Sequence, residues 1–390
     1  MTRDCCRALP GDAGFGRRSF MLGLAGSLLI GFGLRAAAAR GGPGPLYVAC
    51  RVDADGRYRT TGFGADGARR FDLSLPGRGH DLAFRPGSPE CVVFARRPGT
   101  FAVVIDVDRG VVLRRIDAAP GRHFYGHGSF TADGRHLLSS ENDYASGQGR
   151  IGVRDAADGY RQVGELPAHG IGPHEVVLMP GGKTLAVANG GVRTHPERDR
   201  AKLNLASMQP SLTYLELAGG RAEGAVRPPP ELHQLGIRHA AVNARGLVAV
   251  AMQYEGSKRD RVPLVGLHDG AGLRLLRAPA AIERRIRHYT GAIAFDRGGE
   301  LLAVSSPRGN LFTFWDAAAG TLIDHLTVLD GCGLSAAEAP GAFVVTGGDG
   351  TVLRVEPRTG ARRALTVAGG PTAPWDNHLR AAAMIDGLKS

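Results

Sequence analysis

Four short apolar runs recur along this chain of 390 residues, and their periodicity restricts the possible folds severely. The third run of each repeat ends in an acidic or polar residue and is followed by a glycine turn, as in Phe101–Asp106 before Gly110 and Leu311–Asp316 before Gly320. The pattern returns every roughly 45–50 residues, which is typical of the four-stranded blades of a β-propeller. The 58 glycines of the chain suit a fold with many tight turns.

The number of blades follows from the number of first strands. The run that starts at His378 would be the first strand of a blade, but too few residues follow it for the other three strands. Conversely, the N-terminal runs Leu46–Val52, Arg57–Phe63 and Arg69–Leu75 are three strands without a first strand of their own. We therefore predict an all-β, seven-bladed β-propeller, closed by pairing the N-terminal strands with a C-terminal innermost strand so that no sheet edge stays open. The seven predicted starts lie at His80, His127, His174, His239, Gly291, Cys332 or Gly333, and His378.

The N-terminal segment has the composition of an export signal. Arg17 and Arg18 precede the apolar run 22–34, which is too short for a comfortable membrane span, and the small-residue stretch 36–39 follows. A twin-arginine pair in this context predicts a Tat signal peptide over residues 1–39 that is removed after export. Residues 40–390 are then expected to form a single β-propeller domain in the periplasm, not integral to the membrane.

Five histidines occupy one position of the repeat. Four of them precede a turn glycine by seven residues, and the fifth opens the last apolar run. Since first strands line the central channel of a propeller, we expect all five imidazoles to meet at one mouth of the channel. Clustered imidazoles suit a transition metal, and we predict that three or four of them bind it. These histidines are His80, His127, His174, His239 and His378.

A structural role for these histidines is the alternative interpretation. Propeller repeats of the WD type carry a Gly-His pair whose imidazole bonds within its own blade, and Gly79-His80 has that form. The closeness of His127 to the Asp133-Gly134 turn argues for a different register, but both interpretations stay open at this point. The remaining histidines are expected at the surface or in loops: His123, His136, His169, His233, His268, His288 and His325.

Further residues are expected to support the ring or to contact a bound ligand. Glu175 should point away from its neighbour His174 along a regular strand, and is thus expected to orient a ligand rather than to bind metal. Residues 190–210 form a long loop, and whether it is a lid over the mouth stays open. The full predicted set is Glu141, Glu175, Asn189, His195, Gln253, Tyr289, Arg308, Cys332 and Asn377.

Cysteines and charge limit the remaining possibilities. The Cys332 thiolate is expected to face the ring, and a disulfide between Cys50 and Cys91 stays open. The net charge of +11 comes from arginines that alternate with acidic residues, without a basic stripe, so nucleic-acid binding is not expected. The sequence holds no nucleophile elbow, no phosphate-binding loop and no Cys-x-x-Cys-His, so any haem would be held non-covalently. We expect a monomer.

Four motifs of the chain are distinctive: 171–175 (Ile-Gly-Pro-His-Glu), 187–196 (Val-Ala-Asn-Gly-Gly-Val-Arg-Thr-His-Pro), 237–239 (Ile-Arg-His) and 375–378 (Trp-Asp-Asn-His). They resemble those of an uncharacterised, Tat-exported bacterial family of seven-bladed propellers, whose genes lie beside those of imelysin-type iron-uptake proteins and di-haem oxidoreductase-like proteins. The resemblance spans roughly residues 44–380, with Gly236 standing where the family pattern has Ser. It implies a periplasmic role in iron handling, with iron-uptake proteins as partners, but no reaction.

Three functions follow for the same fold. The first is a metal-binding propeller that is accessory to iron uptake, with iron the expected metal and copper or zinc as alternatives. The second is a metal-dependent hydrolase or oxidoreductase at the same site. The third is a protein-interaction platform whose histidines are structural.

Overall fold

Seven four-stranded antiparallel sheets form a closed β-propeller in the computed structural model, which describes residues 45–198, 201–367 and 374–382. The fold class predicted from the repeat is therefore confirmed. The predicted signal peptide, residues 1–39, lies outside the described residues, so the division of the chain at residue 39 stays a prediction. Among the described residues, no helix has the length and hydrophobicity needed to cross a membrane.

The chain enters the ring through three strands of one blade and then completes six blades in order. The three strands are β1 (Leu46–Val52), β2 (Tyr58–Gly64) and β3 (Arg69–Ser74). Blade 1 contains β4 (Gly79–Phe84), β5 (Glu90–Ala95), β6 (Phe101–Asp106) and β7 (Val111–Asp117). Blade 2 contains β8 (Arg122–Phe130), β9 (His136–Asp143), β10 (Gly149–Asp155) and β11 (Arg161–Pro167). Blade 3 contains β12 (Pro173–Leu178), β13 (Thr184–Asn189), β14 (Ser211–Glu216) and β15 (Ala222–Val226).

The second half of the ring repeats this plan, with the first strand of each blade innermost. Blade 4 contains β16 (Leu235–Val242), β17 (Val248–Tyr254), β18 (Val265–His268) and β19 (Leu273–Leu276). Blade 5 contains β20 (Ala292–Phe295), β21 (Leu301–Ser306), β22 (Leu311–Asp316) and β23 (Leu322–Thr327). Blade 6 contains β24 (Gly331–Ala336), β25 (Phe343–Gly347), β26 (Val352–Glu356) and β27 (Ala361–Ala364), and the last strand is β28 (Trp375–Ala381).

The last strand closes the ring. β28 pairs antiparallel with β1, so that the closing blade has the strand order β28-β1-β2-β3 and the C-terminal strand is innermost, as predicted. Trp375 packs against Phe63 of the same blade with ring centroids 5.6 Å apart, and Leu379 belongs to the same buried cluster. Burial of these apolar side chains stabilises the closure in addition to the strand hydrogen bonds.

The hydrophobic core lies between neighbouring blades. Second strands such as β5 and β13 are buried on both faces and therefore read as nearly continuous apolar runs. Phe94 of blade 1 packs against Phe124 of blade 2 with ring centroids 5.8 Å apart, which shows how successive blades share a core layer. Outermost strands such as β7 are largely exposed.

Two elements were not predicted. β15 has the sequence Ala-Glu-Gly-Ala-Val, whose low β-propensity gives no strand signal, and it is held by pairing with β14. The helix α1 (Ala280–Ile286) connects blades 4 and 5 and buries Ile282 and Ile286, which are one helical turn apart. In the described part of the chain, four short 3₁₀ helices lie in the connections, at Pro196–Arg198, Leu205–Ser207, Pro230–Leu232 and Pro307–Gly309.

Candidate metal centre

The five histidines of the repeat converge in the central channel. The His127 ring lies in the middle of the group, with its centroid 5.0 Å from that of His80 and 4.5 Å from that of His174. Its distances to the rings of His239 and His378 are 5.3 Å and 4.8 Å. Four of the five side chains are buried and His174 is partly buried. We refer to these five residues as the histidine ring.

β-Bulges aim the histidines and their neighbours at the channel. The pairing of β4 with β5 skips between Gly79 and Leu82, so that His80 and Asp81 stand opposite a single residue of β5. A bulge re-aims side chains that would otherwise alternate between the two faces of the sheet. The innermost strand of blade 5, which carries no ring histidine, pairs without interruption. Register shifts at the histidine also occur in blades 2, 3 and 4 and in the closing blade.

Three buried carboxylates each accept a hydrogen bond from the Nδ1 of one ring histidine. In every case the carboxylate belongs to the preceding blade of the ring, so the contacts join successive blades. A carboxylate on one ring nitrogen fixes the tautomer and directs the other nitrogen toward a metal. The pairs are Asp376 with His80 at 3.3 Å, Asp81 with His127 at 2.8 Å and Glu175 with His239 at 3.1 Å.

Several imidazole nitrogens of the ring have no hydrogen-bond partner among the described residues although they are buried. These atoms are the Nε2 of His127, the Nε2 of His378 and the Nδ1 of His174. Buried polar atoms without partners are rare because each costs about 1–3 kcal/mol. A metal ion in the centre would satisfy them.

The spacing of the nitrogens suits one ion. His127 belongs to two groups of three histidines, one with His80 and His174 and one with His239 and His378, and within each group the ligand atoms lie within 4.8 Å of one another. Nitrogen ligands about 2.0–2.1 Å from one ion lie roughly 3.4 Å apart in a tetrahedral site. The imidazoles of a group would therefore have to move closer together to bind one metal ion jointly.

Burial favours the neutral form of the ring imidazoles, which is the form that binds metal. Desolvation lowers the pKa of His80 to about 4, against the opposing effect of its hydrogen bond to Asp376. Burial, followed by repulsion from neighbouring imidazoles, also lowers the pKa of His174 well below its usual value. The pKa values of His239 and His378 are lowered as well, chiefly by burial. Metals bind the neutral imidazole, so these shifts favour binding near neutral pH.

Arginines keep the buried carboxylates ionised. Arg380, two residues after His378 on β28, donates to both oxygens of Asp81, at 2.8 and 2.6 Å, and to Glu175. Burial favours the protonated acid, but Arg380 and His378 hold the pKa of Asp81 well below its usual range. Against the same effect of burial, Arg380 and the hydrogen bond from His239 lower the pKa of Glu175 to about 2. Because Asp81 and Glu175 share the single charge of Arg380, one negative charge stays uncompensated on this side of the ring, which favours a cation.

A pocket of about 260 Å³ opens over one side of the ring and contacts His80 and His174. Four of the nine supporting residues predicted from the sequence line it: Gln253, Tyr289, Arg308 and Asn377. Lys202, from the long loop over residues 190–210, lines the same pocket and pairs with Glu255. A second cavity of about 230 Å³, lined in part by Glu175 and Arg380, lies on the side where the strands continue beyond the histidines.

Three of the other predicted supporting residues lie away from the ring. Glu141 is fully buried but pairs with Arg154 of its own blade at 2.6 Å. Asn189 donates to the carbonyl of Ala168 at 3.0 Å, and so joins blades 2 and 3 in the core. His195 is partly exposed and packs near Tyr144.

The three cysteines in the described part of the chain are buried and belong to neither group of ring histidines. The Sγ of Cys332 lies 3.4 Å from the carbonyl oxygen of Trp375, inside the cluster that supports the closing blade, and burial raises the pKa of this thiol to about 12. Cys50 and Cys91 are free thiols in one hydrophobic cluster, so the structure contains no disulfide between them. Burial raises the pKa of both thiols well above the usual value.

Two histidines expected at the surface are buried. His123 is 1% exposed, bonds through Nδ1 to the carbonyl of Phe124 at 2.8 Å, and accepts from Asn142 at 3.0 Å. His268 is 6% exposed and bonds to the hydroxyl of Tyr214 at 2.6 Å. Their neighbours are polar enough to satisfy the imidazole inside the fold, and the surface expectation was wrong for both.

Sequence reasoning missed Asp81, Asp376 and Arg380. The available signal was a charged residue one or two positions from a ring histidine, as in His80-Asp81 and in the run from Asp376 to Arg380 around His378. Regular strand alternation would send Asp81 to the face opposite His80, and the bulge that brings both to the channel leaves no clear mark in the sequence. Asp376 and Arg380 each lie two residues from His378, so alternation alone could have indicated them.

Comparison with known proteins supports the fold and identifies a family. No curated protein sequence is significantly similar to the chain. Among solved structures, the hydrazine synthase of Kuenenia stuttgartiensis has a similar fold, with 14% identity, a TM-score of 0.58, and coverage of 82% of this chain and 95% of the other. At this identity the likeness concerns the fold alone. The family described as "Protein of unknown function (DUF1513)" matches residues 73–382, and the chain therefore belongs to that family.

Proposed function

We propose that the protein is a periplasmic metal-binding propeller that is accessory to iron uptake or handling. The histidine ring would hold one transition-metal ion per chain, iron in the first place and copper or zinc as alternatives. Periplasmic iron-uptake proteins would be its partners. The observation that carries the proposal is a set of five convergent imidazoles, three of them oriented by carboxylates, with buried nitrogens that have no other partner.

The chemistry of the ligands supports a transition metal over calcium or magnesium. Imidazole nitrogen suits iron, copper and zinc, whereas calcium and magnesium take oxygen ligands. The carboxylates nearest the ring are already engaged, Asp81 by His127 and Arg380, and Glu175 by His239 and Arg380. The preference for iron comes from the resemblance of the histidine motifs to a family whose genes lie beside those of iron-uptake proteins.

Elemental analysis of the mature protein tests this function. The protein would be exported natively and purified without a histidine tag, beside the double variant His127→Ala/His174→Ala. A second double variant, His233→Ala/His325→Ala, removes two exposed histidines far from the ring and serves as the matched control. We expect close to one iron or copper per chain in the wild type and the control, and loss of the metal in a still-folded ring variant.

The contrary result is equally clear. If the wild type holds no metal after anaerobic reconstitution with Fe(II), Cu(I) and Zn(II), the proposed function fails. It also fails if the ring variant retains the same metal content as the control, because the metal would then lie elsewhere.

The cellular location can be tested separately. We expect the mature chain in the periplasmic fraction with its N-terminus near residue 40, as read by mass spectrometry. Replacing the twin pair by Arg17→Lys/Arg18→Lys should retain the protein in the cytoplasm. Normal export of that variant would contradict the Tat assignment.

A metal-dependent hydrolase or oxidoreductase is the second candidate, and the pocket over His80 and His174 is the observation that favours it. Such a pocket gives a small molecule access to the proposed metal. Turnover by the metal-loaded wild type that is absent in His127→Ala/His174→Ala would support this candidate.

A further inference from the structure

The pocket over the histidine ring is strongly cationic. Five cationic side chains line it, and Glu255 is the one carboxylate among the described residues that line it, while Arg96 also pairs with the neighbouring Asp376 at 3.3 Å. Clefts lined by one sign of charge and walled by protein concentrate ions of the opposite sign. The cationic side chains are Arg96, Arg97, Lys202, Arg238 and Arg308.

Arg238 is placed as an anion-binding group in this pocket. Its side chain is 5% exposed although it lines the pocket, and its Nε is buried without a hydrogen-bond partner among the described residues. Its Nη2 lies 3.8 Å from Glu255, whose carboxylate is also engaged by Lys202. One carboxylate is thus shared by two cations, and the guanidinium of Arg238 keeps a donor for a further acceptor.

Arg308 adds a second arginine to the cationic lining. Its guanidinium carbon lies 4.3 Å from the centre of the Tyr289 ring, a stacking that holds the group flat and leaves its edge available. Arginine edges match the two oxygens of a carboxylate or the oxygens of a phosphate. Both arginines line the pocket that touches His80 and His174.

The size of the pocket selects a small ligand. At about 260 Å³ it lies just below the roughly 300–1,000 Å³ of pockets that bind drug-sized molecules. The same size argues against a porphyrin in this position. Its polar, cationic lining likewise argues against an apolar molecule.

We infer that this pocket binds a small oxyanion, a carboxylate or a phosphate, directly over the histidine ring. The inference extends the proposed function, since an anion held there would offer oxygen ligands to the metal from the side of His80 and His174. Anion and metal would then bind together, with the arginines compensating the charge of the anion and the buried carboxylates that of the metal.

Calorimetric titration of the metal-free mature protein tests the inference, with citrate and inorganic phosphate as separate probes. We expect at least one of them to bind with a stoichiometry of one, and Arg238→Gln and Arg308→Gln each to weaken that binding about tenfold or more, as expected for loss of a charge-assisted contact. The preferred probe distinguishes a carboxylate from a phosphate ligand. Arg115→Gln is the matched control, because Arg115 also stacks on an aromatic ring, 5.1 Å from the centre of Phe101, but on an outermost strand.

Binding of neither probe to the wild type would overturn the inference. Binding that both pocket variants retain at wild-type strength would overturn it as well, and Arg308→Gln covers the case in which the buried Arg238→Gln variant fails to fold. Because the titration uses metal-free protein, its outcome does not depend on the elemental analysis. A failure of the metal proposal and a failure of the anion pocket therefore remain distinguishable.

Discussion

His127 has a special position among the ring residues, because it alone belongs to both groups of three histidines and also to a third group with Asp81 and Glu175. Its Nδ1 is 2.8 Å from Asp81, and its Nε2 is buried without another partner. Asp81 in turn accepts two hydrogen bonds from Arg380. The orientation of His127 is therefore fixed from outside the ring, while the nitrogen that faces the ring stays available.

Replacing Asp81 by Asn should weaken metal binding although all five histidines of the ring remain. The amide oxygen of Asn is a weaker acceptor than a carboxylate for the hydrogen bond from the Nδ1 of His127, and it carries no charge. We therefore expect metal affinity to fall roughly 10–100-fold. Competition with a chelator would measure the change. Asp72→Asn is the control, since Asp72 is likewise held by arginine, with Arg51 at 2.9 Å, Arg59 at 2.7 Å and Arg69 at 3.8 Å, but on strands away from the ring. An equal loss in both variants would show that Asp81 matters only for stability.

His123 makes an acid-sensitive contribution to stability. Burial lowers its pKa to about 4, below the roughly 6.5 of an unfolded chain. The folded state therefore binds fewer protons than the unfolded state between these values. The contribution is complete above about pH 6.5 and is lost progressively as the pH falls toward 4.

The variant His123→Gln isolates this effect in metal-free protein. The other buried histidines titrate in both proteins, so the difference in slope reports one proton, at most about 1.4 kcal/mol per pH unit. We expect the free energy of unfolding, from urea denaturation at several pH values, to fall less steeply in the variant. Parallel curves for the two proteins would exclude the assignment.

At the level of the strand, the β-bulges determine which side chains of the innermost strands point into the channel. Gly126 lies in the bulge of β8 with φ +100°, and a Cβ there would stand 2.7 Å from the Cδ2 of His80 in the neighbouring blade. Glycine therefore permits both the backbone conformation and the close approach of the imidazole. The position of His80 thus depends on a residue of the next blade.

The substitution Gly126→Ala should displace His80 and reduce metal affinity about tenfold, while the chain still folds. Gly121→Ala is matched to it, because Gly121 also has positive φ, +74°, but has open space around the position of a Cβ. Both variants should lose about 1–2 kcal/mol of stability from the strained backbone. Only the first should lose metal in equilibrium dialysis. Equal metal binding by the two would remove the role given to this contact.

The bulges also explain which residues of the site could be predicted from the sequence and which could not. The positions of four ring histidines were predictable because the repeat fixes the distance from each of them to the next turn glycine, as for His80 and Gly87, and the fifth, His378, opens the last apolar run. Asp81 was not, since regular alternation places it on the face opposite His80. Cys332 occupies the same slot in blade 6, yet its sulfur faces Trp375 rather than the ring. The burial of His123 depends on Asn142, a contact between strands that local pattern does not show.

For the whole molecule, the ring connects the two ends of the folded chain. His378 belongs to the closing strand β28, and its ring lies 4.6 Å from that of His80 in blade 1. The ring histidines come from the closing blade and from blades 1 to 4, whereas the described residues of blades 5 and 6 supply none. A bound metal would therefore link five of the seven blades, including the only blade that is built from both ends of the chain.

Metal binding should accordingly stabilise the closed ring. A ligand that binds only the folded state, at a free concentration of 100 times its dissociation constant, raises the free energy of unfolding by about 2.7 kcal/mol. Urea denaturation with and without metal would measure this gain, which His127→Ala/His174→Ala should not show. Locally, amide exchange in β28 should slow more than in β27 of blade 6, because opening of the closing strand breaks the site whereas fraying of that outer strand does not. Equal protection of the two strands would mean that the metal does not hold the closing strand in place.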